Sequence, residues 1–401
     1  MKSTRAHRLA SFFSTSPFAL VLASAALFAV NACASDEELG HELSLDGGSP
    51  DATDDASTVD ADVDVDAGGA DADVDAAPRT CTDQGFCHVP LPEPLILRGV
   101  WGDGTGVAWA VAEEGKILRW DGSAWTVHAT LSAPLFTIWG SSPTDIYVGG
   151  EGGIFHGAGP SSSQLTFTPI ASESGSSITS IQGFGPNDVW AVGSRIEDEW
   201  EQSRVLHYTG PTGDSATEWQ IDPVSEQGTI FSRVWGSSAD DVWIGGNGSV
   251  LRGSSDGAGG TSFTSVLVGS GIFNRIYRVA GGAALDEVFV VGENRNTIGF
   301  VWIGPREGSE AAPRIFTGDD FGTGYGINAV WGRSKNDAWI AGNGGRVWHW
   351  DGTSWSVGGV SITKFPLLND LHAMWGSPNG DLWIVGDRIA LRKGLAVGGD
   401  K

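Results

Sequence analysis

Carboxylates recur at one position of this chain, and carboxylates are side chains that transfer protons or bind cations. Each of them follows a tryptophan or a glutamine by six residues: Asp145, Asp188, Asp241, Asp337 and Asp381. A catalytic site needs one copy of such a group, whereas a residue present in most repeats serves the repeat itself. We therefore interpret these aspartates as acceptors of backbone N–H groups in turns, rather than as a ring of cation or sugar ligands.

Segments that depart from the repeat are better candidates for binding, because function is grafted onto loops. Two such segments, 195–204 and 318–326, combine acidic and aromatic residues. The candidate ligand-binding residues are Arg195, Glu197, Glu199, Trp200, Asp319, Asp320 and Tyr325. An exposed tryptophan stacks on a sugar ring, and the Asp319–Asp320 pair suits calcium or a sugar hydroxyl. As a catalytic acid and base, these carboxylates need a separated partner across a cleft, which the sequence cannot place.

Histidines share a second repeat position with arginines and one tryptophan: Arg119, His156, His207, Arg252, Trp302, His349 and Arg392. Three histidines suggest zinc, but they belong to three different repeats and cannot converge on one ion. We interpret the set as amphipathic residues whose stems cover an apolar face. The sequence predicts no metal centre and no cofactor, and calcium is the one ion that stays open.

Seven copies of one phrase must position these residues. They begin at residues 101, 139, 182, 235, 280, 331 and 375, and successive copies are 38 to 53 residues apart. Each copy contains short runs rich in β-branched and aromatic residues, separated by glycine turns such as Asp351-Gly352. A period of this size with strand-like content predicts an all-β, seven-bladed β-propeller with four strands in each blade.

Tryptophan is abundant, with 18 residues. Most occupy two repeat positions, for which we expect packing between neighbouring blades. Trp200, Trp219 and Trp302 lie outside the repeat phase and are expected to be the more exposed ones.

The seventh repeat ends before a fourth strand, whereas residues 86–92 precede the first repeat without a partner. We predict that this N-terminal segment supplies the missing outer strand and closes the ring, which removes the open sheet edge. Pro90 and Pro92 suit an edge strand and exclude a central one.

The phrase Trp-Gly-Ser-Ser-x-x-Asp-Val-Trp-x-x-Gly, seen in full from Trp235 to Gly246, resembles that of bacterial propeller-repeat lipoproteins related in style to kelch and BNR propellers. The resemblance covers residues 97–394. It implies the propeller fold and a lipid anchor, and it implies no particular ligand.

Residues 1–33 are predicted to be a lipoprotein signal peptide. Lys2, Arg5 and Arg8 precede an uncharged apolar run that is too short for a stable membrane span. Val30-Asn31-Ala32-Cys33 resembles a lipobox, which makes Cys33 the lipidation site; the alternative is an ordinary secretory signal cut near residue 32 or 34. Either alternative predicts export to the cell envelope, as an outer-membrane lipoprotein or a secreted protein.

Residues 34–80 are predicted to be a disordered Asp/Ala-rich linker, because they contain 15 acidic residues, one base and no aromatic residue. The net charge of the whole chain is −25, and no basic stripe is present, which argues against a nucleic-acid partner. Cys81 and Cys87 are expected to form a disulfide in an exported protein. The propeller is placed at residues 81–396.

These observations favour a surface-anchored, non-catalytic binding or scaffold module that recognises a glycan or a protein. A polysaccharide hydrolase or lyase with acids in the irregular loops is one alternative. A structural subunit of a cell-envelope assembly is another. We expect a monomer that contacts the membrane through its lipid anchor alone.

Overall fold

The computed structural model describes most of the chain between residues 81 and 394. The described residues are 81–82, 84–211, 213, 218–257, 260–268, 275–280, 287–293, 298–306, 312–321, 326–358, 367–377 and 379–394. The predictions made for residues 1–80, for Tyr325 and for residues 395–396 lie outside these ranges. No helix within the described ranges is long and apolar enough to cross a membrane.

Within those ranges, 28 strands form seven four-stranded antiparallel sheets, which confirms the predicted seven-bladed propeller. From the innermost strand outward, the first three blades are β2 (Leu97–Gly102), β3 (Ala108–Ala112), β4 (Lys116–Trp120) and β5 (Trp125–Thr130); β6 (Leu135–Ser142), β7 (Asp145–Gly150), β8 (Gly153–Ala158) and β9 (Thr166–Pro169); and β10 (Ser177–Gly185), β11 (Asp188–Glu197), β12 (Trp200–Tyr208) and β13 (Trp219–Ile221). Blades 4 and 5 are β14 (Phe231–Ser238), β15 (Asp241–Gly246), β16 (Ser249–Ser255) and β17 (Thr261–Val266); and β18 (Arg275–Ala280), β19 (Glu287–Glu293), β20 (Gly299–Pro305) and β21 (Arg314–Thr317). Blades 6 and 7 are β22 (Ile327–Ser334), β23 (Asp337–Gly342), β24 (Val347–Trp350) and β25 (Trp355–Gly358); and β26 (Leu371–Gly376), β27 (Leu382–Gly386), β28 (Ile389–Lys393) and the N-terminal β1 (Phe86–His88).

Helices are short. In the part of the chain that the structure describes, one α-helix, α1 (Gly318–Phe321), follows blade 5, and three 3₁₀ turns span Ala171–Glu173, Pro223–Gln227 and Asn343–Gly345. The four-strand blades therefore carry nearly all of the regular structure described.

The innermost strands contact one another in sequence, and the last of them, β26, contacts the first, β2. They all run in the same direction along the central axis, because equivalent residues such as Val100, Ile138 and Val330 line one central cavity. We call the side on which the innermost strands begin, near Leu97 and Leu371, the start face. The opposite side, near Gly102 and Gly376, is the end face.

The N-terminal strand closes the ring as predicted. Phe86 pairs with Lys393 and His88 with Leu391, so β1 is the outermost strand of blade 7. The strand is shorter than the predicted segment and ends at His88, before Pro90. A disulfide joins Cys81 and Cys87, and the Gln84 side chain donates to the Val357 carbonyl of blade 6. The loop that carries β1 is thus attached to two blades.

The Trp-Gly pair of the repeat joins neighbouring blades. A methyl group added to the glycine would lie within 2.7 Å of a tryptophan ring atom of the preceding blade in four pairs: Trp101 with Gly140, Trp139 with Gly183, Trp331 with Gly376, and Trp375 with Gly102. Each of these tryptophan rings therefore packs directly against a glycine, which has no side chain. In blade 3, where Gln182 replaces the tryptophan, Phe184 packs on Gly236 instead. This finding confirms the predicted packing between blades.

The repeated aspartates bind side chains, and the turn interaction that we predicted for them was wrong. Asp188 accepts from His207 at 2.8 Å, and Asp381 accepts from Arg392 at 2.9 Å. The equivalent pairs in other blades are Asp145 with His156, Asp241 with Arg252, and Asp337 with His349. Each of these cationic or imidazole side chains comes from the third strand of the blade.

Four of these third-strand side chains also lie on the aromatic ring of the second strand: His156, His207, His349 and Arg392. His207 stacks on Trp190 with ring centroids 3.9 Å apart, and the Arg392 guanidinium lies 5.4 Å from the centroid of the Trp383 ring. These side chains therefore link an aspartate to an aromatic ring. The prediction that their stems cover an apolar face described only part of this role. Trp302 departs from the set because it is buried.

Candidate functional site

Every innermost strand contains a β-bulge three residues before the repeated tryptophan position. The bulges lie at Arg98, Phe136, Thr179, Ser232, Tyr277, Asn328 and His372. A bulge leaves one residue out of the ladder and redirects its side chain. We call these seven residues the bulge ring; the Tyr277 side chain lies outside what the structure describes. The six described side chains are all partly exposed.

The bulge ring surrounds a cavity of about 540 Å³ at the start face. Its lining includes Arg98, Phe136, Thr179, Asn328 and His372 from five blades. Because each blade contributes a different side chain at the same place, the surface is chemically asymmetric although the backbone repeats. Asymmetry of this kind is what a specific binding site requires.

Polar side chains at this opening are held by neighbours. Arg98 forms an ion pair with Glu113 of the same blade, with Nε 2.7 Å from Oε1. Thr179 donates to the Ser232 carbonyl of the next blade at 2.9 Å, and Asn328 donates to the Leu371 carbonyl at 3.0 Å. These contacts orient the side chains before any ligand arrives, which reduces the entropy lost on binding.

Blade 7 contributes the acidic part of the opening. The imidazole of His372 donates to Asp387 at 2.7 Å, and Asp370 accepts from the backbone N–H of Gly344 at 2.8 Å. Burial lowers the pKa of His372, with the nearby Arg98 guanidinium acting in the same direction, although Asp387 opposes both. Burial thus favours the neutral imidazole of His372, beside the carboxylates of Asp370 and Asp387.

The channel narrows below the bulge ring. A second cavity of about 250 Å³ is lined by Val100, Ile138, Ile181, Val234 and the repeated tryptophans. Thr137, Ser180, Gln182 and Arg233 also line this inner cavity, so its lining mixes apolar and polar side chains.

A long hairpin of blade 3 projects from the start face beside this opening. Strands β11 and β12 pair from Val189 and Tyr208 out to Glu197 and Trp200. The neighbouring strand β10 pairs only as far as Ser194, so the outer part of the hairpin extends beyond the sheet as a two-stranded ribbon. Asp198 and Glu199 form its turn with φ of 51° and 70°, a geometry that matches the twist of the strands.

Ion pairs stiffen this hairpin. Glu197 binds Arg204 and lies 3.8 Å from the Nε of Arg195. Glu173, from the connection that precedes blade 3, is buried and accepts from Ser176 at 3.0 Å. Burial raises the pKa of Glu173, although Arg204 and Arg195 nearby partly oppose the shift. The predicted residues Arg195 and Glu197 therefore interact with side chains within the hairpin itself.

The tip of the hairpin exposes apolar side chains. Trp200 is 72% exposed and Ile196 is 67% exposed. Leu267 and Leu368, in connections that lead to the next blade at the start face, are 76% and 78% exposed. The other strongly exposed large apolar residues within the described ranges lie on outermost strands: Val127, Ile221, Ile315 and Val357. The end face exposes none among its described residues.

Not all candidate site residues come together. Asp320 lies in α1, where its carboxylate accepts from the Thr317 backbone N–H at 2.7 Å; the Asp319 side chain and Tyr325 are outside the described part. Blade 4 separates α1 and blade 5 from the blade 3 hairpin. The acids of the two segments are therefore not placed side by side. Within the described residues, no group of three or more metal-ligating side chains occurs.

Two of the three tryptophans expected to be exposed are buried. Trp219 is 4% exposed and Trp302 is 3% exposed, because both lie on blade strands and pack into the core. Trp200 alone of the three has the predicted exposure.

The sequence reasoning also missed the bulge ring. The signal was present: the residue three before the repeated tryptophan position differs in every repeat, whereas most neighbouring positions are similar. The importance of that position is apparent only when the bulge directs it toward the axis.

No protein-family model matches the chain, and no characterised protein matches its sequence. Solved structures match its fold. YCF48 from Cyanidioschyzon merolae is 15% identical, with a TM-score of 0.58 over 77% of this chain and 98% of that chain. A structure of YCF48 bound to D1 peptide is also 15% identical, with a TM-score of 0.57 over 79% of this chain and 97% of that one.

A catalytically inactive virginiamycin B lyase from Staphylococcus aureus, solved with quinupristin, is 12% identical with a TM-score of 0.55, over 77% of this chain and 99% of that chain. At such identities these similarities establish the β-propeller fold alone. The resemblance to propeller-repeat lipoproteins stays a prediction.

Proposed function

We propose that this protein is an exported, non-catalytic binding module that holds a protein partner on its start face. One observation carries the proposal: Trp200 and Ile196 are exposed at the tip of an ordered hairpin, beside a polar opening built from a different side chain in each blade. A soluble domain gains nothing in stability from apolar side chains placed in water on a projecting ribbon.

The chemistry of the start face fits a protein better than a small ligand. Large aromatic and aliphatic side chains surrounded by polar groups are the usual anchors of protein interfaces. Trp200, Leu267 and Leu368 belong to different parts of the start face, so one partner that contacted them all would cover the channel opening. A structural neighbour described as bound to a peptide supports a protein partner for this fold.

The location follows from the N-terminus. In this proposal, Cys33 carries the lipid and the acidic segment 34–80 keeps the propeller away from the membrane, because like charges extend a linker.

A glycan is the second candidate, because Trp200 also offers a flat aromatic face to a sugar ring. The two candidates differ in what else they need. A protein interface uses several of the exposed apolar residues together, whereas sugar stacking needs Trp200 and adjacent polar groups.

The proposal is tested with a photo-crosslinking amino acid placed at Gln202, on the hairpin, and in a matched protein at Ala239, in an exposed turn of the end face. We expect discrete protein adducts from position 202 on intact cells and none from position 239. The identified partner should bind the purified protein saturably and at least about tenfold more weakly when Trp200→Ala and Ile196→Ser are combined.

Adducts from position 239 alone, or a partner whose affinity ignores the double substitution, would refute the proposal. A glycan array probed with the lipid-free protein, residues 79–401, with and without calcium, distinguishes the second candidate. Saturable, competable sugar binding that Trp200→Ala abolishes would identify a surface lectin instead.

A further inference from the structure

Lys393 stands out at its repeat position. This position lies on the third strand of a blade and pairs with the residue just before the aromatic residue of the second strand. In the other six blades it is occupied by Trp120, Gly157, Tyr208, Gly253, Gly304 and Trp350. Six blades therefore have an aromatic residue or glycine where blade 7 has a cation opposite Leu382. A departure of this kind, at a position inside the sheet, needs a reason other than the fold.

Among the described residues, the ammonium of Lys393 has no anionic partner within ion-pair distance. Its Nζ lies 4.2 Å from the ring centroid of Trp339 and 5.3 Å from that of Phe86. Within the described part of the chain it forms neither an ion pair nor a hydrogen bond. Burial lowers the pKa of Lys393, although the charge of Asp337 opposes the shift. A partly buried cation held only by aromatic faces is poorly compensated.

Asp337, the carboxylate whose charge acts on Lys393, already has other partners. Asp337 accepts from His349 at 2.8 Å and from the Trp339 indole at 3.1 Å, and it forms an ion pair with Arg333 at 2.5 Å. Both of its oxygens are therefore used, and Lys393 gains from it only a distant attraction. Counted over the described residues, Arg333, Asp337 and Lys393 together leave one positive charge without an ion-pair partner.

A cavity of about 440 Å³ opens beside Lys393, between blades 6 and 7 at the end face. Trp331, Trp339, His349 and Leu382 are among its lining residues, and Arg333 and Asn336 lie at the same opening. This volume is within the range of small-molecule sites. The lining thus combines the Lys393 ammonium and the Arg333–Asp337 ion pair with the flat apolar surfaces of the tryptophans.

We propose that this cavity binds a carboxylate attached to an apolar or aromatic group. Lys393 forms a charge-assisted hydrogen bond with the carboxylate, and the apolar group packs against the tryptophans. The site lies on the face opposite the proposed protein interface, so it can be present or absent independently of that function.

Isothermal titration of the purified protein with sodium benzoate tests the site. We expect saturable binding with one site per chain, weakened at least about tenfold by Lys393→Met, because a hydrogen bond to a charged group is lost. Lys335→Met is the matched control: it removes the same charge from an exposed residue of the adjacent turn and should leave the affinity unchanged. A short peptide ending in phenylalanine, with a free or an amidated C-terminus, distinguishes a peptide carboxylate from a free acid.

Several outcomes would overturn the proposal: no binding of either benzoate or the free-acid peptide, equal affinity for inorganic phosphate, or wild-type affinity in Lys393→Met. A second measurement needs no variant. The pKa of Lys393, followed by NMR in the wild-type protein, should rise when benzoate is added, because the carboxylate stabilises the charged form beside Asp337, Arg333 and His349. An unchanged pKa would contradict the site even if the variant failed to fold.

Discussion

At the scale of single residues, the aspartate of the repeat connects two strands of a blade through side-chain contacts. Asp145 shows how the contacts set its charge: burial by itself raises its pKa, but the hydrogen bonds from His156 and Ser141 outweigh burial and leave the pKa lowered. The third strand supplies histidine in some blades and arginine in others, since either can donate to a carboxylate while lying flat on an aromatic ring. This exchange explains why the third-strand position looked variable in the sequence.

Asp241 is the member of this set whose loss should cost most. It is 3% exposed and accepts from Ser237, Trp243, Arg252 and Arg306. Asp241→Asn removes the charged acceptor that Arg252 and Arg306 share, and we expect the free energy of unfolding to fall by about 3 kcal/mol. Chemical denaturation at neutral pH measures the change. Asp188→Asn, at the equivalent position with the single partner His207, is the control and should cost less.

The same substitution has a pH signature. Burial by itself raises the pKa of Asp241. Its four hydrogen bonds have the larger, opposite effect, so the pKa lies below the ordinary value of 3.8. A lowered carboxylate pKa stabilises the folded state above the ordinary value, and this contribution disappears as the pH falls toward the lowered one. Asp241→Asn should therefore reduce the loss of stability that the wild-type protein shows below about pH 4. Parallel acid dependence in the two proteins would refute this account.

At the scale of elements, β1 completes blade 7 with very few residues. Phe86 is fully buried and packs edge-on against Trp339, with ring centroids 5.2 Å apart. Because the strand has only three residues, this one side chain must supply most of its apolar contact with the propeller.

Phe86→Ala should therefore lower the melting temperature by roughly 5–10 °C, given a loss of about 3 kcal/mol for a buried phenylalanine in a domain of this size. His88→Ala, two residues further along the same strand at an exposed position, should change it little. Thermal unfolding followed by circular dichroism compares the two. Equal melting temperatures for both variants would mean that β1 does not hold blade 7 closed.

The sequence pattern predicted the strands of the propeller, but it did not predict the bulges or the length of the blade 3 hairpin. Strand positions were predictable from β-branched and aromatic runs, and β7 (Asp145–Gly150) begins and ends where the sequence indicated. A bulge, in contrast, arises because an innermost strand must bend near the axis, and that need exists only when seven strands surround it. The sequence showed that the position of Arg98, Phe136 and His372 varies between repeats, but it did not show that these side chains share a location.

At the scale of the whole molecule, ring closure and inter-blade packing act together. In four pairs of neighbouring blades, the Trp-Gly contact places a tryptophan ring against a glycine that has no space for a side chain, which fixes the two blades against each other. A ring built in this way has no exposed inner edge and presents two faces of different character. The start face has the polar opening and the projecting hairpin, and the end face has the Lys393 cavity.

Lipid anchoring is tested on the intact protein in its own cells. Cys33→Ser should abolish palmitate labelling and release the protein from the membrane fraction, because the thioether-linked lipid has no other attachment site in the predicted motif. Ser35→Ala, two residues away, is a control that leaves the cysteine in place. Unchanged membrane fractionation of Cys33→Ser would remove the lipid anchor from the proposed function.

The sequence by itself determined the propeller, its seven blades and the closing role of the N-terminal segment, because these follow from repeat length, strand composition and an unpaired final repeat. The tertiary structure decided which side chains meet. Trp219 and Trp302 became buried since their strands lie inside a blade, while the bulge residues of separate repeats converged on one opening. The physical reason is that periodicity reports which backbone a segment adopts, whereas contacts between residues more than forty positions apart depend on how the blades are arranged around the axis.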